Sequence, residues 1–179
     1  GDPASFTAFG QYLDAVKKQL AYEIYQCVAA DHVNEEICKA RFVPALSLSF
    51  KECISRAKDY CLGGPKYTVG NGIDAIGVAD LINSVYAVKH LVFDEKKLSM
   101  QRLCDALAAD FQGYEDVKLL CDRCEKYGND CKEVDDLASE LFAFIADEID
   151  SYDSELGKMT SGILPVSGNT PFGMEVGAL

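Results

Sequence analysis

Eight cysteines and two histidines are the side chains best suited to chemistry in this sequence, and their spacing limits what that chemistry is. Cys121-x-x-Cys124, with Cys131 seven residues further on, supplies half of a zinc-site pattern. A structural zinc site wants four ligands, usually as two such pairs, and no second pair exists. The other thiols, Cys27, Cys38, Cys53, Cys61 and Cys104, mostly fall within helical patterns, where a free cysteine behaves as a small hydrophobe. His32 stands beside Asp31 in a polar connection, and His90 follows Lys89 late in an apolar stretch. Neither has the partner of an HExxH pair or a nucleophile motif nearby. Gly70-Asn71-Gly72 ahead of a helix offers backbone N–H groups to an anion, but it lacks the G-x-G-x-x-G pattern and its strand–helix–strand setting. The carboxylate pairs Asp135-Asp136 and Glu148-Asp150 fall on solvated helical faces. The residues alone therefore predict no metal, no bound cofactor and no self-contained catalytic set.

The elements that carry these residues are mostly helical. Phe6, Phe9, Leu13, Val16, Leu20, Ile24 and Val28 recur at steps of three and four, predicting a helix over 6–29, with a short helix to follow over 34–41. Val43-Pro44 breaks that pattern, Leu46–Ser49 reads as extended, and Ser49 is placed to cap a helix over 50–60. Breakers crowd Leu62-Gly63-Gly64-Pro65 through Asn71-Gly72, so loop or short strand follows. From Ala75 to Val92 the chain is apolar nearly all round, as in a helix covered on most sides; such cover points to a larger body than this chain. Ser99 opens a helix over 100–110, another spans 114–124, Tyr127–Asp130 turns, and 132–152 is strongly amphipathic. Gly and Pro dominate 159–179 and predict extended chain and turns. The expected class is mainly α with a few β-strands, α+β.

Composition excludes several functions. With 29 acidic against 17 basic residues the net charge is −12, which repels nucleic acid and anionic membrane surfaces alike. No run of eighteen apolar residues is present to span a bilayer. A chain of 179 residues with many unpaired-looking thiols fits a reducing, cytoplasmic setting. It opens on Gly1-Asp2-Pro3-Ala4, without initiator Met or signal region, and so reads as a segment of something longer.

Three strings, in order, carry a family resemblance. Gly63-Gly64-Pro65-Lys66-Tyr67 leads through Ile76-Gly77-Val78-Ala79-Asp80 to Ala87-Val88-Lys89-His90-Leu91-Val92-Phe93-Asp94-Glu95-Lys96. Leu103, Ala106-Leu107, Phe111-Gln112-Gly113-Tyr114-Glu115, Lys126-Tyr127-Gly128-Asn129-Asp130 and Val134-Asp135 form the second. The third is Gly162-Ile163-Leu164-Pro165-Val166-Ser167-Gly168-Asn169-Thr170-Pro171-Phe172-Gly173, with Val176-Gly177-Ala178-Leu179 behind it. Together they resemble the glycyl radical enzymes: pyruvate formate-lyase, the glycerol and diol dehydratases, choline trimethylamine-lyase and the arylacetate decarboxylases. The string around Ile73–Asp80 looks nearer the arylacetate decarboxylase branch than pyruvate formate-lyase itself.

The resemblance implies a ten-stranded α/β barrel wrapped in helices, of which residues 1–179 are a section of wall. It implies a lyase, decarboxylase or dehydratase of anaerobic metabolism. A small-molecule substrate, a glycyl radical installed by a radical-SAM activating enzyme, and a homo-oligomer come with it. The thiyl-cysteine "GCxEP" and glycyl "RVxGY" strings are absent here, so no catalytic residue is expected and the isolated segment would be inactive. Two stretches are expected to face substrate: Leu164–Asn169, through Val166 and Asn169, and Tyr67–Ile76, through Asn71, Ile73 and Asp74. Asp74 has a second reading, as the cap of a helix beginning at Ala75, and capping is the simpler one. The alternative to an enzyme section is a standalone, non-catalytic helical protein that kept this fold for interaction.

Overall fold

The computed structural model describes residues 2–67 and 71–163. Its helices are α1 (Phe9–Ala40), α2 (Pro44–Ser47), α3 (Lys51–Arg56), α4 (Val78–Val88), α5 (Met100–Ala108), α6 (Glu115–Asp122) and α7 (Lys132–Asp150). Four short strands accompany them: β1 (Gly72–Ala75), β2 (Asp153–Ser154), β3 (Gly157–Lys158) and β4 (Thr160–Ile163). The mainly helical expectation holds. The chain divides into two compact units, whose described residues are 2–19 with 76–144, and 20–67 and 71–75 with 145–163. We call them the first and second unit.

The first unit has a hydrocarbon core. Ile82, Ala106, Val117, Val134 and Leu141 are fully buried, and Val85 and Leu91 nearly so. Val78, Ile82, Val85, Tyr86 and Leu91 of the apolar stretch at 75–92 are buried within this chain, against the expectation that a larger body must cover them, while Ile76 stays exposed. The helix is also shorter than its apolar run. It starts at Val78, with Gly77 at the N-cap in the left-handed region (φ 75°) that glycine tolerates. At its far end the backbone widens into a π-helical turn, Lys89–Asp94, closed by Glu95 N–H donating to His90 O at 2.9 Å. Ser99 caps α5 as expected, its Oγ accepting from Arg102 N at 3.2 Å.

In the second unit three expectations change. The predicted break near residues 30–33 does not occur, and α1 runs unbroken to Ala40. Ala29-Ala30-Asp31-His32-Val33 contains neither Gly nor Pro, so nothing interrupts the backbone ladder. Leu46–Ser49 is not extended: Pro44, whose missing N–H is no loss at a first helical position, opens α2 instead. Ser49 caps nothing, because Phe50 is the N-cap of α3, and that helix stops at Arg56 as Ala57 turns left-handed (φ 48°). The core here is thinner, made of Ile24, Val28, Cys53, Ile149 and Met159. Strand β1 pairs with β4 in parallel, and β2 pairs with β3 as a tight antiparallel hairpin. The expected strand Leu164–Asn169, with Val166 and Asn169, lies outside the described residues. Among the described residues no helix is long and apolar enough to cross a membrane.

Candidate functional site

The β1–β4 pair positions three of the five expected site residues. Successive side chains of a strand point to opposite faces, so Gly72 and Asp74 share one side while Ile73 and Ala75 share the other with Asn71. The register Gly72↔Thr160, Ile73↔Ser161, Asp74↔Gly162 and Ala75↔Ile163 extends both sides across β4. Asn71 and Ile73 are thus brought together, and Asp74 is turned away from them.

Asp74 does not cap a helix. It sits inside β1, three residues before the N-cap Gly77, so the simpler of its two readings is overturned. Its side chain lies exposed across the neighbouring strand, beside Gly162. Gly72 and Gly162 carry no side chains, so this face presents the Asp74 carboxylate and the Thr160 hydroxyl with bare backbone beside each.

The opposite face is tied to α1. Asn71 Nδ2 donates to Glu35 Oε1, and the same oxygen accepts from Glu155 N at 3.0 Å. Asn71 O in turn accepts from Thr160 N at 3.1 Å, joining the approach to β1 with β4. Glu35, only 8% exposed, is a buried carboxylate that reading the sequence missed. A signal was available. Ile24, Val28, Asp31 and Glu35 continue one helical stripe at steps of four, three and four, so the buried face of α1 changes from apolar to acidic. Asp31 Oδ2 is buried without a hydrogen-bond partner among the described residues.

A cavity of about 520 Å³ opens on this side, its walls including Glu35, Cys38, Lys58, Cys61, Asn71 and Glu155. Lys39, also on its wall, is held at 2.7 Å by Glu36 and 3.0 Å by Glu155, bonds that raise its ammonium's pKa. Burial, then the charges of Asp59 and Cys38, push the Cys61 thiol up. A thiol shifted that way is a poor nucleophile.

The Cys121–Cys124 pair and the two histidines make local contacts. Cys124 is buried with Sγ donating to Leu120 O at 3.4 Å, and burial pushes both the Cys121 and Cys124 thiols up. Among the described residues no group of three or more His, Cys, Asp or Glu side chains is placed to hold a metal. His32 rides on the exposed side of α1, its Nε2 3.0 Å from Asp153 O, and His90 stacks on Tyr86 and meets Glu95 at 3.2 Å. The first unit does contain one dense polar cluster. Lys89 Nζ bridges Asp94 and Glu133, each at 2.6 Å, and Tyr86 Oη donates to Glu133 at 3.2 Å. Burial and the adjacent Glu133 push the Tyr86 phenol up to about 12, so it stays protonated and serves as a strut.

A helical chain whose parallel strand pair joins 72–75 to 160–163 matches a known family. Residues 1–173 fit the pyruvate formate lyase-like family model, and the chain belongs to that family. It is 34% identical to the trans-4-hydroxy-L-proline dehydratase of Clostridioides difficile, over 99% of this chain and 23% of that one. It is 28% identical to an isethionate sulfite-lyase of Desulfovibrio desulfuricans, over 99% of this chain and 22% of the other. Among solved structures, the glycerol-bound B12-independent glycerol dehydratase of Clostridium butyricum superposes with a TM-score of 0.89 at 31% identity. That superposition covers 97% of this chain and 22% of the dehydratase. The chain thus spans less than a quarter of the length of the relatives it matches.

Proposed function

We propose that this chain is a wall section of a glycyl radical enzyme whose whole protein removes a leaving group from a small polar substrate, as a lyase or dehydratase of anaerobic metabolism. The observation that carries this reading is the alignment with a hydroxyproline dehydratase along 99% of the chain. The family chemistry runs on a protein glycyl radical, installed by a radical-SAM activating enzyme and relayed to a cysteine thiyl. We assign neither role to a residue of this chain, because the "RVxGY" and "GCxEP" contexts are missing from it.

What this section contributes is a surface. In a barrel wall one sheet face packs on the helices and the other looks inward. The Asn71 side is bonded to α1 through Glu35, which marks it as the helix-covered side. The opposite side, with Gly72, Asp74 and Gly162, is then the substrate side. Of the three described candidates Asp74 alone meets substrate, as an ionised acceptor for a hydroxyl or ammonium hydrogen. Asn71 braces the strand through Glu35, and Ile73 is half-buried on the other face from Asp74. Val166 and Asn169 keep their places as substrate-side candidates through the family string that contains them.

The test is made on the full-length reading frame that contains this segment, produced anaerobically with its activating enzyme. A glycyl radical doublet in the electron paramagnetic resonance spectrum is expected, with turnover of at least one of trans-4-hydroxy-L-proline, glycerol or isethionate. The 179-residue chain treated identically develops no doublet. A full-length protein that stays radical-free with a competent activator overturns the reading.

A further inference from the structure

The bare face of the β1–β4 pair contains a steric restriction that no sequence pattern announces. Asp74 and Gly162 are register partners in a parallel pair, so they occupy the same side of adjacent strands. A Cβ added at Gly162 would overlap Asp74 Oδ1 and stand 3.3 Å from its Cγ. Gly162 is not among the residues with positive φ, so its backbone conformation is open to any residue. Space, and not backbone freedom, is what this glycine supplies. The position across the pair from Thr160 is tight in the same way, with Thr160 Oγ1 3.1 Å from a Cβ added at Gly72. The Asp74 carboxylate forms no hydrogen bond or ion pair with any described residue, so its orientation is set by the room over Gly162.

We propose that Gly162 is the positioning residue for Asp74. By lacking a side chain it lets the carboxylate lie across β4 and meet a hydroxyl or ammonium group of the substrate. The inference rests on the substrate-side reading of this face given above. It narrows the substrate class to molecules that present a hydrogen-bond donor here, because an ionised carboxylate only accepts. A methyl group at position 162 would swing the carboxylate aside, and a displacement of about 1 Å in a positioned group is enough to lower turnover by roughly a hundredfold.

The experiment uses the full-length, activated enzyme with whichever of trans-4-hydroxy-L-proline, glycerol or isethionate it turns over. Gly162→Ala should lower kcat/KM by about tenfold or more, the range for losing one hydrogen bond to a charged group, while the glycyl radical doublet keeps its intensity. Asp74→Asn should lower it as well. Asp74→Ala and the double variant Asp74→Ala/Gly162→Ala should be equal, because no carboxylate remains to be displaced. Independent, additive losses in that cycle overturn the positioning role, as does normal Gly162→Ala kinetics beside an impaired Asp74→Asn. Unimpaired Asp74→Asn instead overturns the substrate-side reading itself. If Gly162→Ala alone fails to fold, the double variant must restore folding by removing the overlap, and its failure to do so also counts against the proposal.

Discussion

The first unit has the larger buried core, and the second exposes more of its large apolar side chains. In the first, α4, α5, α6 and the start of α7 bury Ile82, Ala106, Val117, Val134 and Leu141 completely. In the second, Tyr22, Tyr25, Val33 and Ile37 line the outer face of α1, each at least half exposed, while the inner face ends in Asp31 and Glu35. Phe42, Leu48 and Ile54 add further exposed hydrocarbon in α2, α3 and their flanks. The second unit has a smaller hydrocarbon core, supplemented by hydrogen bonds to Glu35 and Asp59. The larger exposed apolar surface is therefore on α1 and the segment that follows it.

The sharpest way to break this comparison is to cut into each core. Leu141→Ala should destabilise the first unit by about 3–4 kcal/mol, the middle of the range for an enclosed leucine. Met159→Ala in the second unit should lose nearer 2 kcal/mol, because the surrounding chain is thinner and can relax into the space. Urea unfolding followed by hydrogen exchange reads both, and equal losses would erase the distinction. Gly77→Ala comes next. Forcing an alanine to hold φ near +75° at the α4 N-cap should destabilise by about 1–2 kcal/mol, visible as a lower urea midpoint.

Asp59 gives a pH test confined to the second unit. Burial opposes its charge, but hydrogen bonds from Cys61 N, Ser47 Oγ and Val43 N outweigh it and hold the carboxyl below its ordinary 3.8. A depressed folded pKa means that the stabilisation is whole above the unfolded value and fades as pH falls through the folded one. Acid titration should therefore loosen the segment 43–61 below about pH 4 in the native chain, and Asp59→Asn should remove that acid-dependent step. The smallest effect is expected on the outer face of α1. Val33→Ser with Ile37→Ser should change stability by only about 0.5 kcal/mol or less, since both are exposed. The same pair should reduce concentration-dependent association of the isolated chain in light scattering; unchanged association would show that this stripe is not the open surface.

Much of the first unit was legible as periodicity. Ser99 with the run from Met100, and Val134, Leu137, Leu141, Ile145 and Ile149, place α5 and α7 almost to the residue, because helical spacing and a cap are local properties. The second unit was read less well for the opposite reason. Asp31-His32 looks like a connection by polarity, yet a helix continues wherever no residue breaks the ladder, and polarity breaks nothing. Asp74 looks like a cap because a β-strand of four residues has no periodicity of its own, and its identity as a strand depends on β4, some 88 residues later in the register Asp74↔Gly162. The site followed the same division. Asn71, Ile73 and Asp74 were picked out together by neighbouring positions in a family string, and strand alternation then separated them onto two faces.

Composition and local pattern were enough to determine a mainly helical, acidic chain, most of its helices, and membership of its family, since charge, helical repeats and motif strings are properties of neighbours in the chain. Only the tertiary structure decided that α1 buries a carboxylate, that Asn71 and Asp74 look opposite ways, and that Gly162 must stay bare beside Asp74. Those facts depend on segments brought together across 36, 88 and 120 positions, at Glu35–Asn71, Asp74–Gly162 and Glu35–Glu155. Pairing over such separations follows from how the whole unit packs, and no short window of residues contains it.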